Sequence, residues 1–185
     1  GAFFFITLVW LRETKIANVL TAKAESFAGS FAAPFRDTRF VIFCIALSLV
    51  IISGAQMMTV LPVYMKDQFG LNESFFGWVM TTNATMVVLF QYAITRATLR
   101  LPRLPYIALG AIFYALGTAS VALGNAFPHF VLAMAVTTMG EMILAPTSTS
   151  ITADLAPADM RGRYMGMLGL TWTIGFGVGP ILGGF

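Results

Sequence analysis

Seven of the eight carboxylates in this 185-residue sequence lie in or beside polar segments, and one does not. Glu141 falls near the middle of the apolar run 129–151, with Thr137 one helical turn before it and Ser148 two turns after. An ionised carboxylate at mid-bilayer costs about 2.5–3.5 kcal/mol on insertion scales. Glu141 must therefore be protonated much of the time, face a wet cavity or meet a cation. The sequence places no Lys or Arg at the same depth, so a cationic partner would be a substrate or a residue outside this sequence. Two readings stand side by side. Glu141 is a proton-coupling or cation-binding group, or it is a protonated acid that hydrogen-bonds a neighbouring helix.

Other polar residues lie inside apolar runs: Ser48, Gln56 and Thr59 in 40–63, and Trp78, Thr82, Asn83, Thr85, Gln91 and Tyr92 in 75–95. They line a polar route, or they hydrogen-bond between helices at well under 2 kcal/mol each. For any one of them the second reading is the simpler. Gly175, Gly179 and Gly183 recur at successive fours, giving a smooth helix face for close packing, and Pro180 permits a bend there. The bend is structural alone, or it is also a pivot during function. No strand precedes these glycines, so they are not a dinucleotide loop. In the segment 154–163, Asp159 sits near Arg161 and Arg163. The acid there favours a helix N-terminus and the arginines fix topology, or Asp159 and Arg161 form a state-dependent ion-pair latch. His129 reads as a solvated helix-end residue. No catalytic triad, metal-ligand cluster or phosphate loop stands out. Neither an enzyme nor a resident metal or cofactor is expected.

These residues need membrane helices to position them. The chain is 58% hydrophobic and 10% charged, against about 25% charged for a soluble domain, and its mean hydropathy is +0.82. Lipid must solvate most of that surface. The single cysteine, Cys44, excludes a disulfide framework within the chain. Apolar runs at 40–63, 75–95, 106–123, 129–151 and 164–185 predict five transmembrane helices, and 1–10 reads as the tail of a sixth. Strand-like alternation is absent from these runs, which argues against a barrel. The first connection, 11–39, is long and polar and reads as a linker between two bundles.

Charge gives the spans a direction. Segments 11–39, 96–104 and 152–163 hold ten of the eleven basic residues, and the opposite side holds only Lys66. The basic side is expected to be cytoplasmic. The basic residues form no continuous face with interleaved aromatics, so the pI near 9.3 does not point to nucleic acid.

With the linker, the five runs and the Gly175-x-x-x-Gly179-Pro180-x-x-Gly183-Gly184 pattern in place, the sequence resembles the major facilitator superfamily, in its drug:proton antiporter form. The resemblance implies the C-terminal helical bundle of that fold. Residues 1–10 would end helix six, 11–39 would be the cytoplasmic linker, and 40–185 would hold helices seven to eleven. The glycine–proline pattern is similar to the family's antiporter motif, best known in the fifth helix; here it would lie in the eleventh. Stretch 154–166, with Pro157, Arg161, Gly162 and Gly166, is similar to the loop before that helix. Segment 95–103 keeps the arginines of the family's loop between the second and third helices but lacks its glycine and aspartate, as second halves usually do. The family's geometry would bring Gln56 and Glu141 to a central cavity shaped also by Asn83 and Trp172. The implied protein is a multi-pass transporter of a bacterial cell membrane, exchanging protons for drug-like or amphipathic small molecules, with the opposing six-helix bundle as its missing partner. A nutrient symporter or facilitator, or a membrane sensor or assembly subunit that does not transport, are the alternatives.

Overall fold

The computed structural model describes residues 32–98 and 101–183. The expectations for 1–10 and for most of 11–39 lie outside the described residues. The rest is helical. A short helix α1 (Ala33–Arg36) leads into α2 (Thr38–Thr59), α3 (Leu61–Phe69), α4 (Glu73–Thr98), α5 (Arg103–Ser120), a 3-10 turn (Val121–Leu123), α6 (Phe127–Leu155) and α7 (Arg161–Gly183).

Local chemistry sets the ends. Asp37 caps α2, its Oδ1 accepting the amides of Arg39 and Phe40 at 3.1 and 3.2 Å. The span expected over 40–63 breaks at Val60, because Pro62 at the start of α3 has no N–H to offer the turn before it. Gly70 ends α3 in the left-handed region (φ 63°), with Gly70 N–H bonding the Lys66 carbonyl at 3.0 Å and Leu71 N–H that of Met65 at 3.1 Å. Most helices run two to four residues past the apolar limits read from sequence. Interfacial polar residues extend a helix as readily as apolar ones do.

Among the described residues, four helical stretches are long and apolar enough to cross a membrane: α2, α5 with its 3-10 turn, α6 and α7. The fifth expected span corresponds to α4. Its 26 residues reach about 39 Å at 1.5 Å per residue, but it is not among the four. The reason is its polar content, including Thr81, Thr82, Asn83, Thr85, Gln91 and Thr95.

Helix α6 is the hub: 56% of its most apolar window is buried, against 17–39% for the other three. It packs most extensively on α5 and then on α4, while α2 packs chiefly on α7. Three apolar clusters stack along the bundle. Met57, Leu61, Met65, Val79, Phe130 and Met134 fill one end. Leu47, Ile51, Tyr114, Leu144 and Leu168 lie in the middle. Phe40, Cys44, Ala156 and Tyr164 close the other end. There the Phe40 and Tyr164 rings lie 4.6 Å apart, and the Tyr164 hydroxyl donates to Asp37 Oδ2 at 3.1 Å. Two contacts of Tyr164 thus join the first turns of α2 and α7.

Candidate functional site

Glu141 is the fifteenth of the 29 residues of α6, at its centre. It is half-buried and faces α4. Asn83 of α4 uses one amide Nδ2 for two bonds, donating to Glu141 Oε2 at 2.8 Å and to Thr138 Oγ1 at 3.0 Å. Thr138 is fully buried and passes its own hydroxyl proton back to the Met134 carbonyl at 2.8 Å. The result is a directed chain: Asn83 donates to the carboxylate and to the threonine, and the threonine satisfies its own helix. Among the described residues the ion pairs are Lys66–Glu73 and Arg103–Asp154, and Glu141 belongs to neither. Its partner is an amide. An amide also carries an acceptor oxygen, so a rotated Asn83 would bond a protonated Glu141 as well as it donates to an ionised one.

Two amides hold α4 to this face of α6. Two helical turns beyond Asn83, Gln91 Nε2 donates to the Met142 backbone carbonyl at 3.1 Å and to Thr95 Oγ1 at 2.9 Å. The sequence marked Gln91 only as one polar residue among six. The signal that could have singled it out is Pro146 within α6, four residues after Met142.

The other expected site residues lie elsewhere. Gln56 lines an open cavity of about 320 Å³ near the end of α2, with Met57, Val60, Tyr64 and Thr118. Trp172 stacks on Phe176 of its own helix, centroids 6.1 Å apart, and packs against the cluster around Ile51. Of the three cavity residues expected beside Glu141, Asn83 is the one the structure bonds to it. Thr59, Thr82, Thr137 and Ser148 each donate to a carbonyl of their own helix, which is neither a polar route nor a bond between helices. His129 is a partly exposed residue of the first turn of α6, and its Nε2 lies 3.0 Å from the Ser120 carbonyl, tying the start of α6 to the end of α5.

The glycine stripe of α7 meets α2. A Cβ at Gly179 would lie 2.6 Å from the Ala55 Cβ and 2.9 Å from the Ile52 carbonyl oxygen, and one at Gly183 would lie 2.6 Å from Val60. Gly175 abuts Ile51 in the same way. Pro180 sits within this helix, beside the second of the three glycines. Asp159 and Arg161 are both exposed. The ion pair near that end of the bundle joins Arg103 of α5 to Asp154 of α6, and Arg103 Nη1 also donates to the Ser150 carbonyl at 3.0 Å.

A bundle of long apolar helices with one amide-bound carboxyl at the centre of its most buried helix defines a multi-pass membrane protein. The sequence profile of the Major Facilitator Superfamily matches residues 40–185, and the chain belongs to that family. It is 29% identical over 160 residues to a Na(+), Li(+), K(+)/H(+) antiporter of Planococcus maritimus, covering 79% of this chain and 38% of the relative. It is 28% identical over 191 residues to the multidrug resistance protein MdtH of Escherichia coli, covering all of this chain and 46% of the relative. An uncharacterized MFS-type transporter of Bacillus subtilis, YqjV, is 24% identical over 181 residues, 97% of this chain and 44% of the relative. The chain thus spans less than half the length of these relatives.

Proposed function

We propose that the complete protein is a proton-coupled antiporter exporting amphipathic or cationic small molecules across a bacterial cell membrane, with Glu141 as the group that protons and cargo share. The observation carrying this reading is the placement of Glu141 at the centre of α6, bonded to a neutral amide. An empty ionised carboxylate at mid-bilayer is costly, by about 2.5–3.5 kcal/mol. A proton or a cationic cargo removes that cost, and one carboxylate cannot hold both. Reorientation of the bundle is then favoured only when Glu141 is loaded, which couples export of one to entry of the other. The names of two relatives, an antiporter and a multidrug resistance protein, support the same class.

In this reading residues 40–185 are the C-terminal bundle, 11–39 the linker and 1–10 the end of the preceding half. An N-terminal bundle supplies the opposite wall of the route. Gln56 and Trp172 contribute to that wall only if the two bundles close over them. Asp159 and Arg161 lie on the cytoplasmic side, available to an opposing bundle as a latch.

The test uses the complete protein in inverted vesicles. Glu141→Gln should leave expression and folding intact and reduce proton-driven dye export by at least about tenfold. Export at the parental rate, with parental pH dependence, would sink the role. A second reading, exchange of protons for monovalent metal cations, is favoured by the name of the Planococcus relative, a Na(+), Li(+), K(+)/H(+) antiporter. Proton release driven by Na⁺ or Li⁺, with no response to dye, would select it.

A further inference from the structure

Proline at position 146 leaves a specific gap in α6. In an α-helix each N–H bonds the carbonyl four residues earlier, so the missing N–H of Pro146 orphans the Met142 carbonyl. Met142 is fully buried, so its carbonyl needs a donor from within the protein. Transmembrane prolines are tolerated where a neighbouring group supplies one. Gln91 does so from a different helix, at 3.1 Å. The side chain is itself anchored, because the same amide nitrogen donates to Thr95 Oγ1 one turn on. The orphaned carbonyl belongs to the residue directly after Glu141. Whatever fixes that carbonyl fixes the backbone from which the carboxyl hangs.

The two amide contacts of α4 differ in kind. Asn83 touches the carboxyl itself, so its bond changes with loading. Gln91 touches a backbone oxygen that stays an acceptor in every protonation state. We propose that Gln91 is a positioning residue: by replacing the donor that Pro146 removes, it fixes the backbone of α6 at that turn and holds Glu141 against Asn83 and Thr138. This rests on Glu141 being the working group, but its test does not require that role. Without Gln91, α6 is free to flex at Pro146, the Asn83 contact is lost part of the time, and the carboxyl becomes more accessible. With an N–H restored at 146, the Met142 carbonyl is bonded within α6 and Gln91 has nothing to supply.

The experiment is a double-mutant cycle in the complete protein, with Gln91→Leu and Pro146→Ala, alone and together. The readout is the rate at which dicyclohexylcarbodiimide modifies Glu141 at one fixed pH, measured by mass spectrometry of the peptide that contains it. Gln91→Leu should raise that rate by about three- to tenfold, the weight of one hydrogen bond. In the Pro146→Ala background the same substitution should change it less than about twofold. An unchanged rate with Pro146 present, or an equal increase in both backgrounds, would overturn the inference. If Gln91→Leu alone does not fold, recovery of folded protein in the double variant supports the pairing, and failure to recover overturns it. Because labelling is read apart from transport, an antiport reading that fails at Glu141→Gln leaves this outcome intact, and the converse also holds.

Discussion

The two faces of α6 show two ways of joining helices in lipid. Toward α5 the contact is made by backbone. A Cβ at Gly140 would lie 2.6 Å from the Gly110 carbonyl oxygen and 2.7 Å from the Tyr114 nitrogen. Gly117 presses on the backbone of Thr137 in the same seam, and Ser53 and Thr118 add a 2.9 Å hydroxyl contact between α2 and α5. Toward α4 the contact is made by side-chain amides: Asn83 on the Glu141–Thr138 pair and Gln91 on a carbonyl. Lipid offers apolar surface no advantage in leaving it for another helix, so association depends on close packing and on polar groups. A glycine seam has one fitted arrangement. An amide can release one partner and take another, which suits an interface that must respond to the charge on Glu141. The acid lies on the adjustable face and not on the fixed one.

Breaking the fixed face should have the largest effect. Gly140→Val places methyl groups where the α5 backbone already is, and no side-chain rotation relieves that. We expect a loss of about 3 kcal/mol or more, read as collapse of the monodisperse yield in detergent or a large drop in melting temperature. A near-parental melting curve would show that α5 and α6 do not pack through Gly140. Breaking the adjustable face at Asn83 should be milder for folding and harsher for function. Asn83→Leu should cost about 1 kcal/mol of stability while slowing proton-driven export severalfold. The comparison fails if stability falls as far as for Gly140→Val, or if transport is untouched.

The smallest effect belongs outside the bundle. Lys66 and Glu73 pair at 2.8 Å across the turn between α3 and α4, and both are exposed. The hydrogen bond and charge of Glu73 raise the Lys66 ammonium above its ordinary value. A raised folded-state value means the contribution is complete below the unfolded value and is lost as pH rises through the folded one. Solvent and salt leave little of it. Lys66→Met should move the melting temperature by less than about 1 °C at neutral pH. A larger drop would make this turn a structural element in its own right.

Much of the fold was legible because each membrane helix satisfies its own backbone. Apolar length alone therefore located 106–123, 129–151 and 164–185 to within a few residues. The break at Val60 was also written in the chain, as Pro62, but apolar content masked it. Helix α4 was read from sequence as a span; of the polar residues that lower its hydropathy, Asn83 and Gln91 bond α6, whereas Thr81 and Thr85 are exposed.

The sequence by itself determined that lipid surrounds these helices and that Glu141 is the anomaly needing a partner. It also determined that α7 carries a glycine face at every fourth residue. All of these follow from the chemistry of single helices in a bilayer. Only the tertiary structure decided that the glycine face meets Ile51, Ile52 and Ala55 of α2, that Asn83 is the partner of Glu141, and that Gln56 lines a cavity elsewhere. It alone matched Gln91 to the carbonyl freed by Pro146. Those pairs are separated by 51 to 58 residues where α4 meets α6. Helical periodicity fixes which residues share a face, but not the rotation and height at which one face meets another. That register is set by where small residues let backbones approach, and it exists only once the helices have packed.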